Sequence, residues 1–359
     1  MKKRPTFIIA EAGVNHNGSE DLAIQLIDAA AEAGADAVKF QTFKSAALVS
    51  KSAKQAEYQT KNTGVAESQF EMLKRLELAP SVYRNLLKYA RAKGIGFLST
   101  PFDVESADFL TNDLHLDLLK IGSGDITNAP LLLSVAHTGK PVILSTGMSS
   151  LSEIETALGV IAFGYLKIQR KPSLAAFQEA FHSQTGKEAL AAKVTLLHCV
   201  SEYPADWSEA NLKAISTLRD VFGLSTGYSD HTMGLSAPVA AVALGATVIE
   251  KHFTLDKRLP GPDHLCSLEP HELKLMVQMI RQVEASLGTG EKQASRSEEK
   301  NKPVVRRSLV AATAIRKGEV FSEKNLTSKR PGDGVSPVFY WDWLGKIAER
   351  DFKEDEQIS

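Results

Sequence analysis

Short apolar runs of strand type recur along the chain and alternate with segments whose apolar residues return at helical spacing. The runs are Phe7–Ala12, Ala37–Thr42, Gly96–Thr100, Leu118–Ser123, Pro141–Thr146, Val194–Cys199, Gly223–Tyr228 and Thr247–His252. Between them, Leu22, Ile24, Leu26, Ile27, Ala30 and Ala31 mark one apolar helix face. Leu86, Leu87 and Ala90 mark another, which stops at Lys93-Gly94. Strand alternating with helix requires right-handed crossovers and a parallel sheet. Eight such units over about 285 residues predict an α/β fold, a closed (β/α)8 TIM barrel occupying residues 1–287. Two intervals are longer than a plain barrel needs. Residues 44–69 follow the second strand, on the face that carries chemistry, and are expected to form a lid. Residues 163–193 precede the sixth strand and are expected on the opposite face or in the helix layer. Beyond Gly288 the pattern turns polar and charged, so residues 288–303 read as a linker. Residues 304–359 read as a small domain with short strands at Ser308–Ala312 and Lys329–Gly334. About 55 residues make a marginal core, so support from the barrel or a partner subunit is expected.

Composition narrows the function classes. With 43% hydrophobic and 24% charged residues the chain is an ordinary globular protein. A net charge of −1 provides no global field for nucleic acid or an anionic membrane, so an anionic ligand must meet a local cluster of cations. Cys199 and Cys266 cannot build a disulfide framework, which fits a reducing cytoplasm. The apolar segment after the basic start is too short for a signal peptide, and no run approaches the ~20 residues that span a bilayer.

In barrel enzymes the chemistry sits at the C-terminal ends of the strands. Those ends carry Glu11; Lys39 and Gln41; Ser99 and Thr100; Lys120 and Ser123; Ser145 and Thr146; His198 and Ser201; Ser229 and His231; and His252. Lysines as point charges, hydroxyls as donors, and the backbone of Gly122-Ser123-Gly124 and Ser145-Thr146-Gly147 suit a small phosphorylated anion. If the last two strands are neighbours, His231 and His252 emerge side by side and can hold a divalent ion with open positions. Several of these residues also have a plain structural reading. Glu11 either caps a turn or moves a proton; Ser99 and Thr100 either satisfy backbone before Pro101 or bind ligand. His198 reads equally as a satisfied core histidine, and Cys199 as a packing residue.

The motifs Glu11–Gly18, Val38–Thr42, Leu98–Phe102, Lys120–Gly124, Leu144–Met148, Tyr228–Thr232, Glu250–Thr254 and Gly261–His264, with Lys329–Gly332 in the tail, resemble those of the N-acetylneuraminate (sialic acid) synthases. The likeness runs in order through nearly the whole chain. It implies a barrel followed by a small, mostly-β antifreeze-like (SAF, β-clip) domain, in a domain-swapped homodimer. It implies Mn2+, or Mg2+ or Co2+, on His231 and His252. Phosphoenolpyruvate contacts carry over to Lys39, Thr100, Lys120, Ser123, Ser145, Ser201 and Ser229. Amino-sugar contacts carry over to Gln41, Asp125, Tyr203, Asp263 and Arg330, and the catalytic acids to Glu11 and Asp125. Many relatives have Glu where this chain has Asp125, and some have Asn where it has Ser201.

The implied reaction is metal-dependent condensation of phosphoenolpyruvate with N-acetylmannosamine and water, with C–O cleavage, giving N-acetylneuraminate and phosphate. The serious alternative is a legionaminic acid synthase acting on 2,4-diacetamido-2,4,6-trideoxymannose, whose phosphoenolpyruvate half-site would be the same. A rival of another class is an aldolase with Lys39 or Lys120 as Schiff-base nucleophile.

Overall fold

The computed structural model describes residues 5–55, 60 and 67–359. Strands Phe7–Gly13 (β1), Ala37–Thr42 (β2), Gly96–Pro101 (β3), Leu119–Ile121 (β4), Val142–Ser145 (β5), Val194–Cys199 (β6), Ser225–Asp230 (β7) and Val248–His252 (β8) form one parallel sheet. Its order is β3-β2-β1-β8-β7-β6-β5-β4, and β3 and β4 approach each other, so the sheet curls into a nearly closed barrel. All eight predicted strands are present.

Side-chain parity explains how this sheet builds both a core and a site. Alternate residues of a strand face opposite ways. One set, including Ile8, Ala10, Val38 and Phe40, packs under the surrounding helices. The other set starts as an apolar layer of Ile9, Ala37, Leu98, Ile143, Leu197 and Val248. Two positions further along each of these strands come Glu11, Lys39, Thr100, Ser145, Cys199 and Glu250, all lining one cavity. The interior therefore passes from hydrophobic plug to polar chamber within one period of the pleat.

The helices begin and end where local chemistry requires. In Glu20–Ala33, Ser19 accepts from the Leu22 amide, and Gly34 takes the left-handed conformation (φ 82°) that turns the chain towards β2. The 163–193 interval lies in the helix layer: Leu174–His182 and Gln184–Lys193 pack on Leu151–Tyr165. That cover explains why every residue from Ala157 to Gly164 is buried, leaving no solvent-facing polar stripe. Of the expected lid, Ser45–Leu48 is helical and Lys54 bridges to Ser68. Residues 56–59 and 61–66 of that lid, and the basic start at residues 1–4, lie outside the described residues.

The chain divides into two units, Met1–Gly288 and Thr289–Ser359. From within the stretch expected as a linker a helix, Arg296–Val305, runs past its expected end at residue 303; it is started by a reciprocal Ser295/Glu298 cap and buries none of its residues. In the second unit Ser308–Ala311 (β9) and Leu326–Lys329 (β10) pair antiparallel over Leu309, Ala311, Ile315, Phe321, Leu326, Ala348, Phe352 and Ile358. The second strand was expected at Lys329–Gly334 but lies at Leu326–Lys329, sharing only Lys329 with it, and Pro331, which has no N–H, cannot continue the ladder beyond. Among the described residues no helix is long and apolar enough to cross a membrane.

Candidate active site

A cavity of about 270 Å3 opens at the C-terminal ends of the barrel strands. Its walls include Glu11, Lys39, Gln41, Thr100, Lys120, Ser123, Ser145, Ser201, Tyr203, Ser229, His231, His252 and Asp263, so the barrel residues to which the family resemblance gave roles converge here with one exception. The exception is Asp125. It ends the short turn Ser123–Asp125, its Oδ1 accepts from Asn128 Nδ2 at 3.0 Å, and it does not line the cavity. Burial raises its pKa, against the Asn128 hydrogen bond. Arg330 belongs to the second unit, where it is exposed. Strand parity turns other strand-end residues away. Ser99 pairs with Thr42 (Oγ–Oγ1 2.6 Å), Thr146 donates to the Leu197 carbonyl (2.9 Å), and His198 Nε2 is 2.8 Å from the Ala210 carbonyl. His198 is thus a satisfied structural histidine.

The floor is a buried network of two lysines and two glutamates. Lys39 Nζ lies 2.7 Å from Glu11 Oε2, 3.0 Å from Thr100 Oγ1 and 3.7 Å from Glu250 Oε2. Lys120 Nζ lies 3.4 Å from Glu250 Oε1, which also accepts from Ser229 Oγ at 3.0 Å. Glu250 was not assigned a role from sequence. The signal was available, since it precedes His252 by two residues and must face the same way. Burial opposes every charge in this network, and the partners decide which charges persist. Burial raises the Glu11 carboxyl to about 7 despite Lys39, with Glu250 adding to the rise. Burial also works to raise Glu250, but Lys120 and Lys39 outweigh it and hold Glu250 below the usual range. Burial works to lower Lys39, but Glu11 and Glu250 outweigh it and keep it ammonium, whereas burial prevails at Lys120.

Around one end, hydroxyls crowd a glycine. Gly147 N donates to Ser123 Oγ at 3.0 Å, and a Cβ on Gly147 would lie 2.3 Å from Ser201 Oγ. Only glycine lets these hydroxyls close around the backbone. Ser145 Oγ and Ser201 Oγ are buried without a partner among the described residues. At the other end Gln41 Nε2 donates to Glu11 Oε1 (3.4 Å), while Tyr203 packs 4.8 Å from the His252 ring and 5.2 Å from His231.

β7 and β8 are neighbours, and the rings of His231 and His252 stand 5.7 Å apart. In both rings Nδ1 is buried without a partner among the described residues. Burial, reinforced by the charges of His231 and Lys39, holds His252 well below its ordinary pKa, so it is the neutral donor a metal requires. Burial opposes charge on His231 too, but Cys199, Asp230 and Glu250 raise it to about 9; those surroundings favour a cation at this position. Cys199, read from sequence as packing, is buried but lines the cavity with Sγ 3.8 Å from His231 Nε2. Among the described residues no group of three or more His, Cys, Asp or Glu is arranged for a metal. A two-nitrogen site fits an ion that keeps water and substrate as further ligands, and does not fit a closed structural zinc. Behind the histidines, Lys251 Nζ meets Asp230 Oδ2 at 2.5 Å and also donates to the Thr232 carbonyl, while Asp230 Oδ1 accepts from Thr232 N at 2.9 Å. This buried clamp ties together the strand ends that carry both imidazoles.

An eight-stranded parallel barrel with buried lysines, acids and histidines at its C-terminal mouth defines a barrel enzyme. The chain belongs to the NeuB family, whose model matches residues 26–292, and a SAF domain follows at residues 306–359. It is 52% identical to the N,N'-diacetyllegionaminic acid synthase of Campylobacter jejuni subsp. jejuni, over 100% of this chain and 99% of that protein. It is 47% identical to the N,N'-diacetyllegionaminic acid synthase of Legionella pneumophila subsp. pneumophila, over 92% and 87%. Among solved structures, the N-acetylneuraminic acid (sialic acid) synthetase from Leptospira borgpetersenii serovar Hardjo-bovis, in complex with citrate, matches with a TM-score of 0.66. There the identity is 36%, over 83% of this chain and 90% of that one. The chain is accordingly a synthase of the sialic acid synthase family.

Proposed function

We propose that this enzyme condenses phosphoenolpyruvate with 2,4-diacetamido-2,4,6-trideoxymannose and water, giving N,N'-diacetyllegionaminic acid and phosphate. The observation that carries the reaction is the division of the cavity wall. Lys39 and Lys120, with the hydroxyls of Thr100, Ser123, Ser145, Ser201 and Ser229, suit a phosphorylated carboxylate. Gln41, Tyr203 and Asp263 cluster near the histidines and suit a neutral sugar rich in hydroxyl and amide N–H groups. The choice of sugar rests on likeness: the two diacetyllegionaminic acid synthases are 52% and 47% identical, the sialic acid synthetase 36%. N-acetylmannosamine, the first expectation from sequence, thus gives way to the diacetamido sugar.

Carbon 3 of phosphoenolpyruvate attacks the aldehyde carbon of the open-chain sugar, water adds at carbon 2, and the C2–O bond to phosphate breaks. Lys39 and Lys120 balance the phosphate and carboxylate while charge redistributes in a site screened from solvent. His231 and His252 would hold Mn2+ or a similar ion, which when bound supplies Lewis-acid polarisation of a carbonyl. Glu11 is the proton-transfer group: it lines the cavity and titrates near 7, whereas Asp125 does not line it. Lys39, kept as an ammonium by two carboxylates, is a poor Schiff-base nucleophile. The domain-swapped homodimer, and contact of Arg330 with the sugar, are also proposed. Phosphoenolpyruvate carrying 18O in its bridging oxygen tests the reaction. The label should leave with phosphate; label retained in the sugar acid would refute C–O cleavage, and an aldolase would release no phosphate at all.

One pH effect follows from Glu11. Its carboxyl titrates at about 7, and a bound anion beside Lys39 and Lys120 pushes it higher, because the anion adds negative charge nearby. The complex therefore holds more protons than the free protein. Phosphoenolpyruvate affinity should fall as pH rises through and above about 7, with proton uptake on binding, and Glu11→Gln should flatten the slope. Titration calorimetry in buffers of different ionisation enthalpy measures the uptake directly.

A further inference from the structure

Ser267 lies outside the cavity lining, is fully buried, and joins three parts of the site. Its Oγ donates to the Asp263 carbonyl at 2.7 Å, lies 3.0 Å from Asn15 Nδ2 and is 3.1 Å from the Tyr203 hydroxyl. A serine hydroxyl has one proton and two lone pairs. A carbonyl oxygen can only accept, so that proton goes to Asp263. The Asn15 amide is oriented by its second bond, from Nδ2 to the Phe253 carbonyl at 2.8 Å, so Asn15 must donate to Ser267. The remaining lone pair of Ser267 then accepts from Tyr203. The phenolic proton is committed, and any bond from the Tyr203 oxygen to a bound ligand is one that it accepts.

We propose that Ser267 is a positioning residue for the amino sugar: it orients Tyr203 as a hydrogen-bond acceptor for a sugar hydroxyl or amide N–H and holds the main chain of Asp263 beside it. This rests on the reading that Tyr203 and Asp263 meet the sugar. Asn15, in the segment after β1, and Phe253, just beyond β8, brace Ser267 from the barrel rim, so the arrangement is fixed before substrate arrives. Without the Ser267 lone pair the phenol proton can rotate towards the ligand, where it would face sugar donors instead of accepting from them.

The test is steady-state kinetics of Ser267→Ala, Ser267→Thr, Tyr203→Phe and the Ser267→Ala/Tyr203→Phe double variant, read by phosphate release. The sugar is whichever of the two candidates the unmodified enzyme uses. Ser267→Ala should raise KM for the sugar by about tenfold, the size of one well-placed hydrogen bond, and leave KM for phosphoenolpyruvate within about twofold. Ser267→Thr keeps the hydroxyl and should restore most of the loss. The double variant should lose less than the two single losses combined, because both changes remove the Tyr203–Ser267 bond. An unchanged sugar KM, an equal rise in both KM values, or full additivity would overturn the inference. A fall in melting temperature with both KM values raised would mark a structural role and overturn it as well. If the unmodified enzyme released phosphate with neither sugar, the function itself would fail, and this inference with it; the KM split judges the inference alone.

Discussion

Replacing His231 or His252 by Ala should lower phosphate release by about three orders of magnitude or more, roughly 4 kcal/mol of barrier. These two rings are the protein's proposed share of the metal site, and each has a buried Nδ1 without a partner among the described residues. Removing one leaves a single nitrogen, and nearby Asp230 cannot substitute because its carboxylate is engaged by Lys251 and the Thr232 amide. The fold should survive the change. The barrel core is an apolar layer below the site, and the β7–β8 ladder is made by backbone groups. Chelation should therefore abolish turnover while far-UV circular dichroism and melting temperature stay close to the untreated values. Near-normal turnover of His231→Ala with added Mn2+ would remove the metal assignment; unfolding on chelation would make the site structural.

The second large effect is expected at Lys39. Its ammonium is shared between Glu11 at 2.7 Å and Glu250 at 3.7 Å, and all three side chains are almost fully buried. Lys39→Met keeps the length but leaves two carboxylates facing each other with Lys120 as the remaining cation of the network. Breaking a buried pair on one side costs about 3–5 kcal/mol. Glu11, already near neutrality at about 7, should respond by staying protonated to higher pH, recovering part of that loss but ending its use as a proton acceptor. The variant should show a clearly lower urea midpoint for the barrel, with phosphoenolpyruvate binding reduced at least about a hundredfold because a buried charge-assisted contact is lost. An unchanged midpoint would mean that the floor network is not the interlocked unit described above.

Much of this candidate site is legible in the sequence, for a physical reason. A parallel barrel places chemistry at strand ends, and strand ends are visible as breaks in apolar runs, so Glu11, Lys39, Lys120, Ser145, Ser229, His231 and His252 could be gathered from one dimension. Parity was the under-used signal. Applied strictly, it separates Ser99, Thr146 and His198, which face the helices, from Thr100 and Ser145, and it brings in Glu250. Asp125 does not line the cavity, because a short helical turn after β4 follows a period that strand counting does not supply. Ser267 carries no local signal, since its role comes from bonds to positions 64 and 252 residues away in the chain. The helix at Arg296–Val305 was hidden because it buries nothing, so its sequence lacks an apolar face and reads as linker. The sugar was not legible either: the motifs that identify the family belong largely to the half of the site that holds the shared substrate.

The measurement that tests the account most directly is phosphate release from phosphoenolpyruvate with Mn2+, comparing 2,4-diacetamido-2,4,6-trideoxymannose with N-acetylmannosamine. The account predicts release with the diacetamido sugar at a higher kcat/KM, lost on chelation, together with formation of the nine-carbon sugar acid. Preference for N-acetylmannosamine would contradict the proposed product while keeping the mechanism, and release with neither sugar would contradict the condensation itself.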